Sequence, residues 1–333
     1  MPADMNILLI RLKSIGDVLF VLPAVHQVRD NFPGAKITFL TARENAPLLE
    51  GFREVDEVIT LDRARFESGN PLAILGEAFS LFRRLRRGKF SLVVDFQGYG
   101  ETAWLSWLSG APQRWGSVYG PGRRWAYTHG VKRDDRMHHV DRGLSLLQQC
   151  GLRSGPVRNE FILPDQALAE ARQFLAGHNL DPDKPMLFVQ PITSAPKKNW
   201  PLERYLAVAG HWRHQGWQVL FGGGPKDRLV LELARQAGFP VSAGVPLLVS
   251  GALTKLSTLV LGGDTGVSHL AVALGKRVVM VMESNSPGSP HPFQHPDWAV
   301  APANSKIISD IEISAVVAAC TRALHEPNGT ASG

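Results

Sequence analysis

Short apolar runs that lead straight through a loop into a helix constrain this chain more than any other feature. Asn6–Arg11 is such a run, with no alternation of apolar and polar residues. A strand of that kind is buried on both faces, as in a parallel sheet covered by helices. The loop Leu12–Gly16 follows, and a helix is predicted from Asp17 to Asn31, ending at Pro33-Gly34. Lys36–Thr41, Val55–Leu61 and Ser91–Asp95 read as further strands. Pro71–Arg87 reads as a helix whose basic end, Arg83 to Lys89, complements the negative end of its dipole. Trp104–Leu108 sits on the next helix, residues 110–135 read as loop, and His139–Cys150 reads as helix.

The pattern then restarts. The helix Gln166–Ala176 leads to Asp181-Pro-Asp-Lys-Pro185, which reads as a hinge. Beyond it come the strand Met186–Gln190, the helix Leu202–Gln215, and the strand Trp217–Phe221 running into Gly222-Gly-Gly224. The helix Lys226–Ala237, the strand Leu259–Gly262, the helix Thr265–Leu274, the strand Val278–Met282 and a closing helix Ile311–Leu324 complete the chain. Strand–helix alternation on both sides of a hinge predicts an α/β fold of two Rossmann-like, doubly wound domains. A length of 333 residues suits two cores. The expected boundaries are 1–165, a linker 166–185, a second domain 186–326 and a flexible tail 327–333.

Charge narrows the partners. The formal net charge is +6, and residues 1–165 hold 22 Lys and Arg against 18 Asp and Glu. That surplus suits an anionic substrate or an anionic membrane surface. Nucleic acid is disfavoured, because no recognisable module interleaves basic and aromatic residues. Cys150 and Cys320 lack metal-ligand spacing and fit structural thiols in a reducing compartment. The run Val18–Val25 is about half the length needed to span a bilayer, and Arg11, Lys13 and Asp17 interrupt any signal-peptide pattern. A cytoplasmic protein is expected.

In open α/β sheets, ligands bind beyond the carboxyl ends of the strands. At Leu261-Gly-Gly-Asp-Thr-Gly-Val-Ser-His269 a strand meets a Gly-Gly turn and then a helix. Unpaired amides and partial positive charge at a helix start suit a diphosphate. Thr265, Ser268 and His269 add donors, although Asp264 or Thr265 would equally serve as a helix cap. Pro191–Pro201 offers the hydroxyls of Thr193 and Ser194 and the charges of Lys197 and Lys198. Asp227, after the triple glycine, suits either ribose hydroxyls or a cap. Asp17, after the first strand, is placed to take a proton from an attacking hydroxyl or to cap its helix. Asp95–Gly98 ends another strand, with side chains expected on the acceptor side. There is no Gly-x-Gly-x-x-Gly after the first strand, no Walker lysine motif and no Gly-x-Ser-x-Gly elbow. Asp181-Pro-Asp183 is assigned to the hinge rather than to a metal, and most of the eleven histidines, including His138-His139, to surface or loop.

Taken in order, Ile10-Arg-Leu-Lys-Ser-Ile-Gly-Asp-Val-Leu19, Val94-Asp-Phe-Gln-Gly98, Lys198-Asn-Trp-Pro201, Gly223-Gly-Pro225 and Asp264-Thr-Gly-Val-Ser-His269 resemble the ADP-heptose:lipopolysaccharide heptosyltransferases of glycosyltransferase family 9. The resemblance implies a GT-B fold of two domains facing across a cleft, with the acceptor on the first and the nucleotide sugar on the second. It implies inverting, single-displacement transfer of heptose from an ADP-sugar to an anionic inner-core glycolipid (a Kdo or heptose acceptor), with no cofactor or metal required. Asp17 matches the general base. Thr193, Ser194, Lys198, Asp227, Asp264, Thr265, Gly266, Ser268 and His269 match or adjoin the donor site. Lys13, Arg63, Gln97, Arg123 and Arg142 are the candidate acceptor contacts. Peripheral contact with the cytoplasmic face of the inner membrane is expected. Glu283-Ser-Asn-Ser-Pro287 departs from the family pattern near the expected donor sugar, and Glu101 stands where a basic acceptor contact is sometimes found. Another nucleotide sugar or acceptor, an epimerase, or a non-catalytic nucleotide-binding protein are the alternatives.

Overall fold

The computed structural model describes residues 5–67, 69–303 and 305–326; the tail 327–333 lies outside them. The chain divides into two compact units, one ending at Arg158 and the other beginning at Asn159.

In the first unit, six strands form one sheet: β1 (Asn6–Ile10), β2 (Lys36–Ala42), β3 (Glu57–Leu61), β4 (Leu92–Asp95), β5 (Gln113–Val118) and β6 (His129–Lys132). Their order is β3-β2-β1-β4-β5-β6, and every pairing is parallel. Ile7, Leu8, Leu9 and Ile10 are fully buried, as the unbroken apolar run of β1 requires. The second unit repeats the winding with β7 (Met186–Gln190), β8 (Gln218–Gly223), β9 (Val241–Ala243), β10 (Leu259–Gly263), β11 (Val278–Val281) and β12 (Ala299–Val300). Its order is β12-β11-β10-β7-β8-β9, again all parallel. The order in which the chain visits the strands reverses between β1 and β4 in one unit and between β7 and β10 in the other. Those two switch points are where an open α/β sheet leaves a crevice.

Several expectations are corrected. The helix expected over Asp17–Asn31 is two helices, Ile15–Leu19 and Leu22–Asn31. Pro23 lacks the amide that would continue the first helix, so it opens the second. Residues 110–135 are not all loop, for β5 and β6 lie within them. The helix expected over Lys226–Ala237 is a short 3-10 turn, Pro225–Asp227, and a helix only at Glu232–Gln236. The segment read as a linker is folded into the second unit. Its helix, Asp165–Gly177, packs on the helix Leu247–Leu256, and Asp181 exchanges backbone hydrogen bonds with the Gln218 side chain. No helix among the described residues is long and apolar enough to cross a membrane.

Candidate functional site

At the switch point of the first unit, the loop after β1 carries Asp17 on the first turn of its helix. One carboxylate oxygen, Oδ1, takes a hydrogen bond from Arg11 Nη2 at 2.5 Å. The other, Oδ2, accepts from the Ser14 amide at 2.9 Å and the Ser14 hydroxyl at 3.2 Å. Asp17 therefore caps its own helix and is also ion-paired. His139 Nδ1 stands 3.7 Å from Oδ1. Burial raises the carboxyl's proton affinity, but His139, Arg11 and the Ser14 amide more than reverse this and hold it far below the ordinary carboxylate range. Burial also pushes the His139 imidazole down, with Arg142 and Arg11 adding to the effect against the pull of Asp17.

A small niche opens beside this carboxylate. Arg11, Asp17, Arg133, His139 and Arg142 supply its polar lining, and Phe20 and Phe96 part of its apolar wall. Three guanidiniums around one carboxylate give the niche a positive rim. Each is braced: Arg11 donates to the Phe96 carbonyl at 2.8 Å, Arg133 to Asp135 at 2.6 Å, and Arg142 to the carbonyls of Met137 and Asp135, each at 3.0 Å. Among the candidate acceptor contacts, only Arg142 lines the niche. Lys13, Arg63 and Arg123 do not, and Arg123 instead donates to the Gly98 carbonyl at 3.1 Å. His139 and Arg133 are members that motif reading missed. His139 follows the residue that caps its helix, His138, a position that says nothing of Asp17 more than 120 residues earlier.

Gln97 is corrected outright. It is 1% exposed, so it cannot reach an acceptor. Its Oε1 accepts from the amides of Leu12 and Lys13 at 2.9 and 3.3 Å, and its Nε2 donates to Glu101 at 3.1 Å. Asp95 anchors the same turn from beneath, accepting from the Gln97 and Gly98 amides and from the Tyr127 hydroxyl. Gln97 thus fixes the loop that carries Arg11 and Ser14, two of the partners of Asp17.

In the second unit, the loops after β7 and β10 meet at their own switch point. Lys198 Nζ donates to Asp264 Oδ2 at 2.8 Å, and His269 Nε2 lies 2.9 Å from Asp264 Oδ1. Burial raises the Asp264 carboxyl, but His269 and then Lys198 outweigh it and hold it at about 2. Thr265 caps the helix Gly266–Ala273, its Oγ1 accepting from the Ser268 amide at 3.1 Å. The amides of Gly266 and Val267 open that helix, where no preceding turn supplies acceptors. The glycines before it serve packing. A Cβ on Gly262 would lie 2.8 Å from the Gln190 carbonyl, and one on Gly263 would lie 2.6 Å from Thr193 Cγ2. Their absence lets the two loops close on each other.

Some expected donor contacts are turned inward. Ser268 is fully buried, its hydroxyl donating to the Gly263 carbonyl at 2.9 Å. The Thr193 hydroxyl donates to the Ala195 carbonyl at 2.9 Å, within its own loop. Asp227 accepts from the Gly224 amide at 2.7 Å, as a cap does. Ser194 is exposed and Lys198 half-buried. The loop that carries them is fixed by Trp200, whose buried indole donates to the Ile311 carbonyl. Among the described residues, no group of three or more His, Cys, Asp or Glu side chains is placed to hold a metal ion.

The sequence profile of glycosyltransferase family 9 (heptosyltransferase) matches residues 78–308. The chain is similar to the lipopolysaccharide core heptosyltransferase OpsX of Haemophilus influenzae, 22% identical over 310 residues that cover 90% of this chain and 85% of the relative. It is similar in structure to a family 9 glycosyl transferase from Veillonella parvula, with a TM-score of 0.83, 22% identity, and coverage of 97% of this chain and 98% of that one. It is also similar to the E. coli heptosyltransferase WaaC with ADP-2-deoxy-2-fluoro heptose, with a TM-score of 0.75, 22% identity, and coverage of 94% and 98%. The fold is therefore GT-B, with two Rossmann-like domains.

Proposed function

The chain belongs to glycosyltransferase family 9 (heptosyltransferase), and we propose that it moves a heptose from ADP-heptose to the inner core of lipopolysaccharide by a single inverting displacement, with Asp17 as general base. The observation that carries this reading is a carboxylate, Asp17, paired with Arg11 and opening on a niche rimmed by Arg11, Arg133 and Arg142. Such a niche suits an acceptor that is both hydroxylated and anionic. Relatives named as lipopolysaccharide heptosyltransferases support the sugar, and the similar E. coli WaaC with ADP-2-deoxy-2-fluoro heptose supports the nucleotide.

On this reading the acceptor hydroxyl attacks the anomeric carbon as its proton passes to Asp17. The bond from that carbon to the diphosphate breaks, and the leaving group gains negative charge. The amides that open the helix at Gly266, the Thr265 and Ser194 hydroxyls and the Lys198 ammonium are the donors that would hold it. The Lys198 ammonium, a three-donor point charge, is set in place by its bond to Asp264. Thr193 shapes the loop, and Asp227 is the proposed ribose contact. Arg142, with Lys13, Arg63 and Arg123 further out, would receive the acceptor's carboxylates or phosphates. Work at the cytoplasmic face of the inner membrane follows from such a glycolipid acceptor.

The test is Asp17→Ala, which is expected to abolish heptose transfer while ADP binding measured by calorimetry stays near wild type. Transfer at the wild-type rate would remove Asp17 as the base. Tighter binding of UDP than of ADP would remove ADP-heptose as the donor.

A further inference from the structure

Outside both clusters, the first unit carries an apolar surface that the chemistry above does not use. On the helix Pro71–Arg87, Leu81 and Leu85 face the core, and Leu105 of the helix Gly100–Leu108 packs into the same cluster. The Arg86 guanidinium lies against Gly110, just beyond that second helix. The two helices therefore lie side by side. The outward face of the first holds Leu72, Leu75 and Phe79, which are 80, 65 and 61% exposed. Arg83 and Arg86 continue that face at helical spacing. Beside it, Trp104, Trp107 and Trp125 form a cluster with ring centroids 4.7–6.2 Å apart, each ring about half exposed.

Charge goes with the apolar groups. Residues 63–126 hold ten Lys and Arg against four Asp and Glu. That surplus of six equals the net charge of the whole chain, so the rest of the sequence is neutral in sum. Two of the four acids are withdrawn from the surface, since Asp95 and Glu77 are buried and Glu77 is paired with Arg65 and Arg84. Arg83 and Arg86 lie over the rings of Phe79 and Phe82, at 5.7 and 5.5 Å. That places cationic heads at the level of the aromatic groups, as in the interfacial layer of a membrane. Basic and aromatic residues are thus interleaved along this helix, with the tryptophan cluster beside it.

We propose that this face, built from Leu72, Leu75, Phe79, Trp104, Trp107 and Trp125 with its arginines, docks on a bilayer surface rich in anionic headgroups. Protruding leucines and a half-exposed indole cluster match the boundary between acyl chains and headgroups, and the arginines match the headgroup phosphates. A nucleic acid would use the tryptophans and arginines but has no place for the leucines. The proposal sharpens the glycolipid-acceptor reading and rests on it only for the reason such docking is useful.

The experiment is co-sedimentation of the full chain with phosphatidylcholine vesicles with and without phosphatidylglycerol, over a range of salt. Wild type is expected to bind the anionic vesicles at least tenfold more tightly than the neutral ones, with a blue shift of tryptophan emission and weaker binding as salt rises. Trp104→Ser with Trp107→Ser should lose at least tenfold in vesicle binding, as should Arg83→Glu with Arg86→Glu. Both double variants should keep wild-type ADP affinity and wild-type transfer to a delipidated acceptor. Absence of wild-type binding to anionic vesicles, or variants that bind like wild type, would overturn the proposal. So would a concentration-dependent dimer abolished by the tryptophan substitutions, or a single-stranded oligonucleotide that displaces the vesicles. Vesicle binding without heptose transfer to any acceptor would instead count against the proposed activity and leave the docking face standing.

Discussion

Replacing Gln97 by leucine tests whether the loop that carries Asp17's partners is held from below. The side chain is 1% exposed, and leucine is one atom shorter but no smaller in volume, so the change removes polar atoms rather than volume. Two amides lose their acceptor, that of Leu12 at 2.9 Å and that of Lys13 at 3.3 Å. The Leu12 amide is left buried, at a cost of about 1–3 kcal/mol, and the longer bond to Lys13 adds less. A net loss of about 2 kcal/mol should lower the melting temperature of a unit this size by roughly 4–8 °C. The released loop also carries Arg11 and Ser14, which fix both oxygens of Asp17. A misplacement of about 1 Å at reacting groups costs on the order of a hundredfold in rate. Gln97→Leu should therefore show a kcat lower by about that factor, measured as transfer from ADP-heptose under saturating substrates. ADP affinity should not change, because the proposed donor groups lie in the other unit. A variant that melts several degrees lower yet keeps wild-type kcat would refute the positioning argument. An unchanged melting temperature would refute the hydrogen-bond argument beneath it.

Three further outcomes are expected. Since burial raises the Asp17 carboxyl but His139 and Arg11 reverse this, the acid limb of kcat/KM should fall below the ordinary carboxylate range. His139→Gln should move that limb upward, and an unmoved limb would remove Asp17 as its source. Asp264, held at about 2 against an ordinary 3.8, has a depressed folded-state pKa and stabilises the fold above the unfolded value. That contribution, about 2 kcal/mol, should disappear as pH falls from about 4 to about 2, and Asp264→Asn should flatten this part of an acid-denaturation curve. Gly263→Ala should cost about 1–3 kcal/mol by overpacking, because the new Cβ meets Thr193 Cγ2 at 2.6 Å. Thr193→Ser removes that methyl and should restore most of the loss, whereas additive effects in the double variant would refute the contact.

What the sequence revealed follows from how local each signal is. β1 and β7 are legible because a strand buried on both faces must be apolar throughout. β5 is not, because its residues answer to the site and to the packing around it: Ser117 lines the niche, Gly116 makes room for the Tyr127 ring, and Arg114 bonds carbonyls on neighbouring segments. β6 is an edge strand and keeps polar residues. Asp17, Lys198 and Asp264 were visible because each lies on a strand–turn–helix unit readable within ten residues. Arg133 and His139 were not, because only the sheet order brings them to Asp17. Gln97 and Ser268 stand in the right turns, but side-chain direction is settled by burial, and burial sent both inward.

The two units use one winding for opposite electrostatic ends. Each sets an aspartate at its switch point, and each aspartate is paired with cations. Asp264 has one oxygen on Lys198 and the other facing His269, and its side chain is 18% exposed. It acts as a fixed countercharge that holds the Lys198 ammonium and the His269 ring beside a helix N-terminus. Asp17 is paired as well, but its side chain is 27% exposed and opens on a niche ringed by guanidiniums. An anion entering that niche draws on Arg11, Arg133 and Arg142. It thereby weakens the hold of Arg11, one of the groups that keep a proton off Asp17, and a nearby negative charge raises a carboxyl's proton affinity. The strongly depressed proton affinity of the carboxylate is therefore compatible with its proposed role as a base. If the acceptor is the anionic glycolipid proposed above, its own charge would supply part of the basicity that its deprotonation needs, and an uncharged sugar of the same shape should be the poorer substrate in kcat as well as in KM.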